Sequence, residues 1–232
     1  MPPVGNDIVD LKDPGNIGKS RNGRFLERVF NAEERGRIAA AARPDALLWS
    51  LWAAKEAAYK CVSRKAPAAV SVPRRYPVFL DDAPTGGEPD APADGFALTG
   101  RVGTPRGDVA LRIDWTGEGD YVHALVAPSA ASLRGMVVRI FPVDIPESGG
   151  GASAFVRGLL IGEIARHLVC PASDLAVSPS GSGAPEVFLR GRTLKLDFSL
   201  SHDGRYGAAV LDATSLFPAA PRYRISRRTE IL

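Results

Sequence analysis

Residues 45–62 contain neither glycine nor proline, and this run limits the possible folds more than any other stretch. Its centre, residues 52–60 (WAAKEAAYK), has four alanines, the best helix formers, and nothing that breaks a helix. At 3.6 residues per turn, Trp52, Glu56 and Lys60 share one stripe. An aromatic ring, a carboxylate and an ammonium then point the same way. Taken alone, the stretch also fits a surface helix with a Glu-to-Lys pair at i,i+4, worth about 0.2–0.5 kcal/mol. The surrounding sequence has to decide between the two.

Before this run, residues 3–11 read as a short strand with Val4, Ile8, Val9 and Leu11 apolar and Asp7 near its end. Asp13-Pro14-Gly15 marks a turn. Phe25, Leu26, Val29 and Phe30 follow helical spacing from Asn22 onward. Asn31 with Glu34 three residues later predicts a capping box, opening a helix to about Ala42 that Pro44 ends. Beyond Pro67 the character changes to short strands over 70–80, 96–102, 108–115 and 121–127, with a Pro-, Gly- and Asp-rich loop at 81–95. Residues 128–134 read as a connection. A strand at 136–141 follows, then a glycine-rich loop at 147–151 and a helix capped by Ser153 that runs to about Leu168. Two or three short strands lead to a hairpin, 196–202 and 205–211, around Asp203-Gly204, a type I′ turn signal. Each half thus runs strand, helix or helices, antiparallel strands. The expected fold is α+β, a pseudo-twofold fusion of two similar helix-plus-antiparallel-sheet halves with a site in the crevice between them. The expected divisions are 1–128, a linker at 129–135, a second half at 136–217 and a basic tail at 218–232.

With 232 residues, 45% hydrophobic and 24% charged, the chain has the composition of a soluble globular protein. Its two cysteines, Cys61 and Cys170, form neither a disulfide framework nor a metal-ligand spacing, which points to a reducing, cytoplasmic setting. Residues 1–11 lack the basic start and apolar core of a signal peptide. Arg157, Glu163 and Arg166 interrupt the best candidate membrane span, 155–169. Net charge is only +3, yet Arg21, Arg24 and Arg28 cluster, as do Arg222, Arg224, Arg227 and Arg228. Such clusters suit an acidic partner; the second reads more simply as a solvated face. Nucleic acid is a poor candidate, because no reading motif or aromatic stacking platform is present.

Two constellations carry possible chemistry. A carboxylate on a strand, Asp7, and one on the helix, Glu56, repel each other unless a proton or cation lies between them. Mg²⁺ suits one or two carboxylates with waters and substrate phosphates, and Lys60 one turn on would face those phosphates. This is equipment for phosphoryl transfer. The second constellation is Phe198-Ser199-Leu200-Ser201-His202, where His202 and Ser201 could donate to a phosphate. Nucleophile-elbow glycines are absent, so the string does not make a hydrolase. His123, inside a strand, reads as structural, and His167 as a partner of its helix C-terminus. No H-E-x-x-H, Walker or G-x-G-x-x-G motif occurs.

Together these pieces resemble the 4′-phosphopantetheinyl transferase superfamily. Gly5-Asn6-Asp7-Ile8 looks like its G-x-D-I block, residues 52–60 like W-x-x-K-E-A-x-x-K, and Ser199-Leu200-Ser201-His202 like S-x-S-H. Residues 24–30 (RFLERVF) look like the arginine-rich helix of the holo-acyl-carrier-protein synthase branch. The resemblance implies transfer of the phosphopantetheine arm of coenzyme A to a serine of an apo acyl or peptidyl carrier protein. Such carriers serve fatty acid, polyketide or nonribosomal peptide biosynthesis, and adenosine 3′,5′-bisphosphate leaves. It implies Asp7 and Glu56 as ligands of Mg²⁺, or of Mn²⁺ in its place. Glu56, Lys60 and His202 would be catalytic. Lys60, Arg157, Gly183, Pro185, Ser201 and His202 would contact coenzyme A. Arg21, Arg24, Phe25 and Arg28 would meet the carrier's acidic helix.

The sequence departs from the family in three ways. The half with the histidine follows the Asp/Glu half, the reverse of surfactin-type enzymes. Val9 stands where those enzymes place a third acidic ligand, and Ala184 where the family has lysine. Trp115 and Thr116 stand where the first half would need its own Ser-His, so one site per chain is expected, in a pseudo-dimeric monomer. The same departures motivate the alternative, a non-catalytic module that binds coenzyme A or a carrier protein.

Overall fold

The computed structural model describes residues 3–64, 66, 69–81, 96–116, 120–143, 151–179 and 185–215. The chain opens with β1, Gly5–Asp10, followed by α1, Gly23–Val29, α2, Ala32–Ala40, and α3, Pro44–Ser63. Asn22 and Asn31 cap α1 and α2, and the Asn31/Glu34 capping box forms as its spacing predicts. Pro44 does more than end α2. It sits in the first turn of α3, where its missing N–H has no helical partner to lose. Val78–Leu80 (β2), Phe96–Val102 (β3), Val109–Trp115 (β4) and Tyr121–Ala127 (β5) complete an antiparallel sheet of order β1-β5-β4-β3-β2.

The alanines of α3 matter for packing as well as propensity. Ala53, Ala54, Ala57 and Ala58 are all fully buried against this sheet. Small side chains let the helix lie close, and β1 answers with Gly5, whose α-carbon faces the Ala57 carbonyl. Beneath α3, Lys55 donates to Glu34 Oε1 (2.7 Å) and to the Tyr76 carbonyl (2.9 Å). Glu34 also accepts the Val78 N–H at 2.9 Å, so the capping carboxylate doubles as the anchor of β2. Losing either partner of a buried pair costs about 3–5 kcal/mol.

The short helix α4, Ala130–Arg134, leads into β6, Met136–Pro142, and α5, Gly151–Leu168. Leu175–Pro179 (β7), Pro185–Leu189 (β8) and Arg192–Leu194 (β9) form one sheet. Phe198–Asp203 (β10) and Tyr206–Asp212 (β11) join β6 in another, of order β10-β11-β6. Leu160 and Ile164 of α5 pack with Phe198, Ala209 and Leu211. In each half the first strand pairs antiparallel with the last, β1 with β5 and β6 with β11. The molecule is a mixed α+β protein with antiparallel sheets.

β1 joins the halves. Asn6 donates its backbone N–H to Ser199 Oγ (3.0 Å) and its amide to Ser201 Oγ (2.9 Å). At the other end, Arg205 grips Asp10 through Nε (2.8 Å) and Nη2 (2.7 Å), while Asp203 accepts the Asp10 N–H (2.9 Å). Burial alone would raise the Asp10 carboxyl, but the Arg205 hydrogen bonds outweigh it and hold it below the ordinary aspartate range.

Several expectations need correction. Asp7 sits in mid-strand, not near its end. The strand expected over 70–80 shrinks to its last three residues, because Pro73 opens a 3-10 turn, Pro73–Arg75. The hairpin turn is shifted by one residue: Asp203 pairs with Tyr206, leaving Gly204 and Arg205 as the loop. Only Gly204 has a left-handed φ (+47°), the pattern of type II′ rather than I′. The clamp of Asp10 and Asp203 on this corner explains the shift. Residues 128–134 carry a short helix, N-capped by Ser129. The loops expected at 81–95 and 147–151 fall almost wholly, and the basic tail 218–232 and Gly183 entirely, outside the described residues. Among the described residues no helix is long and apolar enough to cross a membrane.

Candidate active site

The pleat of β1 sends alternate side chains to opposite faces. Asp7 faces α3. Asn6 and Ile8 face away from it, on the side that carries His123. Lys60 reaches from α3 to Asp7 Oδ1 at 2.7 Å and to the Asn6 carbonyl at 3.1 Å, with the Leu200 carbonyl of β10 at 3.5 Å. One ammonium therefore touches both halves.

Burial raises the Asp7 carboxyl; the Lys60 charge and hydrogen bond oppose this without overcoming it, and Asp203 adds to it. Burial likewise raises Glu56, and the Asp7 charge raises it further. Ser71 Oγ donates to Glu56 Oε1 at 3.3 Å. Glu56 and Asp7 are thus neighbouring carboxylates, each held above its ordinary value.

Across β10 lies a cavity of about 350 Å³ lined by Lys60, by Ser153, Val156 and Arg157 of α5, by Val177, Ser178 and Pro185, and by Leu200, Ser201 and His202. Among the described residues its wall carries a lysine, an arginine and a histidine and no carboxylate. Such a lining favours an anion. His202 is exposed, and its Nε2 lies 3.2 Å from Ser153 Oγ. Arg157 donates through Nε to the Ser153 carbonyl at 2.9 Å. Ser153 was expected only to cap α5; it lies inside the first turn and meets His202 instead. Its four-residue spacing from Arg157 was the available signal, since it puts both on one helix face.

Ser201 is placed differently from His202. It is 5% exposed, and its hydroxyl accepts from Asn6. The S-x-S spacing puts Ser199 and Ser201 on the face that meets β1, and the next residue, His202, on the opposite one. Pro185 lines the cavity. His123 is completely buried; burial, with Lys60 and Arg112, pushes it down to about 3, so it is neutral and bonded to Asn6. His167 contacts Glu163 on its own helix.

Arg21, Arg24 and Arg28 are exposed. Phe25 is half-buried, its ring tilted against those of Trp49 and Trp52 with centroids 6.0 Å and 5.8 Å away. The Trp52 end of the α3 stripe therefore anchors the arginine-bearing helix, while the Lys60 end faces the cavity.

Among the described residues no group of three or more His, Cys, Asp or Glu forms a ready metal cage. Asp7 and Glu56 still fit a hard divalent cation. They are oxygen donors, and their raised pKa values reflect negative charge that the buried surroundings leave undercompensated. Val9 is 4% exposed in the core and supplies no third carboxylate.

Fold and site thus define an α+β protein in which a carboxylate pair adjoins a cationic crevice. Residues 3–85 match the family model of the 4′-phosphopantetheinyl transferase superfamily. The match covers β1, α1 to α3, Asp7, Glu56 and Lys60, so the likeness seen in the first two sequence blocks holds; His202 lies beyond it. No curated protein matches the chain. The match supports phosphopantetheinyl transfer as the general activity.

Proposed function

We propose that this chain transfers the 4′-phosphopantetheine arm of coenzyme A to a serine of an apo acyl or peptidyl carrier protein, as a holo-acyl-carrier-protein synthase does. A divalent cation, Mg²⁺ or Mn²⁺, held by Asp7 and Glu56 would neutralise the pyrophosphate. Lys60 adds a positive charge on the same phosphates. Arg157, His202 and Ser201 hold the nucleotide phosphates, with Ser153 orienting the imidazole and Pro185 lying against the adenine side. Glu56 takes the serine proton, directly or through water. Burial and the Asp7 charge raise its pKa toward neutral pH, which makes it a better general base. The serine oxygen bonds to the β-phosphorus, the bond from that phosphorus to the bridging oxygen breaks, and adenosine 3′,5′-bisphosphate departs.

The observation that carries this reading is Lys60, which spans Asp7 on β1 and the Leu200 carbonyl on β10 at the mouth of the cavity. The halves, 1–128 and 136–217 joined by 129–135, are read as a pseudo-twofold pair acting as a cytoplasmic monomer with one site. The repeated first-to-last strand pairing supports that relation. Arg21, Arg24 and Arg28 steer the acidic carrier, with Phe25 at the edge of the contact. The test is mass spectrometry of several apo carriers after incubation with coenzyme A and Mg²⁺. A phosphopantetheine mass gain that chelator abolishes is expected; no gain on any carrier would refute transfer.

The second reading is a non-catalytic module binding coenzyme A or a carrier protein. Its support is that Lys60 Nζ already contacts Asp7 Oδ1 at 2.7 Å and that Val9 supplies no third carboxylate. Coenzyme A binding indifferent to Mg²⁺ in calorimetry, with no transfer, would favour it.

A further inference from the structure

Where the chain leaves α3, a second depression of about 250 Å³ opens, with Val62, Ala69, Val70 and Pro105 as its floor and Arg75 and Arg106 at its edge. Its chemistry differs from that of the coenzyme cavity. Val70 is 49% exposed and Val72, just beyond, 42%, an unusual display for branched apolar side chains so close together. Arg101 and Arg112, on the same sheet, are ion-paired with Asp108 and Asp114. Neither Arg75 nor Arg106 appears among the ion pairs of the described residues.

Two connections give this depression a place in the reaction. Between the exposed valines, Ser71 turns to Glu56 and donates to its carboxylate at 3.3 Å. On the other side, α1, with Arg24 and Arg28, packs against the turn Pro73–Arg75. One surface therefore runs from the arginine helix through Arg75 to the depression, and its inner edge is the segment that holds Glu56.

We propose that the depression is a docking pocket for the acidic carrier protein, resting on the transferase reading above. It takes an apolar side chain from the carrier helix that bears the acceptor serine, while flanking carboxylates pair with Arg75 and Arg106. An apolar floor with guanidinium groups at its edge complements an amphipathic acidic helix. Such a helix desolvates the valines and leaves its charges at the rim. Nucleic acid would need stacking partners, and among the described residues the lining holds no aromatic ring. The arginine helix alone holds the carrier at one point; a second contact beside Ser71 adds an anchor that strengthens carrier binding.

The test compares the wild type with Arg75→Glu/Arg106→Glu and with Arg106→Gln. The last lies in an exposed turn and isolates the effect should the double variant melt early. With apo carrier, KM for the carrier should rise roughly tenfold for the charge reversal and two- to threefold for Arg106→Gln, as lost rim charges slow encounter. The values of kcat at saturating carrier and of KM for coenzyme A should not move, and sensitivity to salt should fall. Unchanged carrier KM in both variants would overturn the pocket, as would a rise in the KM for coenzyme A instead. A wild type that transfers normally while the variants match it refutes the docking pocket alone. A wild type that neither modifies nor binds any carrier refutes the transferase reading, and the pocket with it.

Discussion

Replacing Glu56 with glutamine is expected to lower transfer by about a thousandfold while raising thermal stability. The loss follows from removing a general base, an effect of about 10²–10⁴, together with an oxygen donor to the cation. Glutamine keeps the shape and can still accept from Ser71. The gain in stability follows from burial and from the Asp7 charge, both of which make an ionised Glu56 costly in the folded protein. The sign is definite. A carboxyl raised on folding contributes stability that is fully present below its unfolded value and lost as pH rises through the folded one. The melting temperatures of variant and wild type should therefore coincide near pH 4 and separate toward neutrality, with the variant higher. Thermal melts across that range, with transfer rates at neutral pH, check both halves of the prediction. Retained activity would remove Glu56 from the chemistry; a lower melting temperature at pH 7 would show that its charge is compensated in the folded protein.

Gly5→Ala should be the most damaging single methyl in the described structure. A β-carbon there would lie 1.9 Å from the Ala57 carbonyl oxygen and 2.9 Å from the Cys61 nitrogen. Both are helix backbone, so no side chain can swing aside. Either β1 or α3 must move, at a cost of about 3 kcal/mol or more. For a chain of this size that is a fall of roughly 6–12 °C in Tm. The same displacement parts Asp7 from Lys60, now 2.7 Å apart, so activity should fall even in the surviving folded fraction. Gly36→Ala in α2 is the control: nothing lies within 4 Å of its β-carbon, and helix propensity favours alanine by about 1 kcal/mol. Equal melting temperatures for the two variants would contradict the close approach of β1 and α3.

Local chemistry made much of the fold legible. The Asn31/Glu34 capping box, the helix of residues 44–63 and the strands at 96–102, 109–115 and 121–127 follow from spacing and turn residues within a few positions of themselves. What stayed hidden was set by distant contacts. The hairpin register depends on Asp10, almost two hundred residues away, gripping Arg205. Lys55 sits inside the most informative motif, yet its burial against Glu34 has no local signature. The alanines of α3 announced a helix, but not that their smallness seats it against Gly5. In the site, helical spacing put Glu56 and Lys60 on one face. Strand alternation, applied to S-x-S-H, would have separated Ser201 from His202 and turned it toward the other half. Ser153 escaped because a serine at a helix start has a commoner explanation than contact with a histidine from a later strand.

A structure with coenzyme A and Mg²⁺ bound would show whether one coenzyme A bridges the two halves. The pyrophosphate is expected against Lys60 beside Asp7 and Glu56, and the nucleotide end at Ser153, Arg157 and His202. A coenzyme held by one half only, with its pyrophosphate away from Lys60, would contradict it.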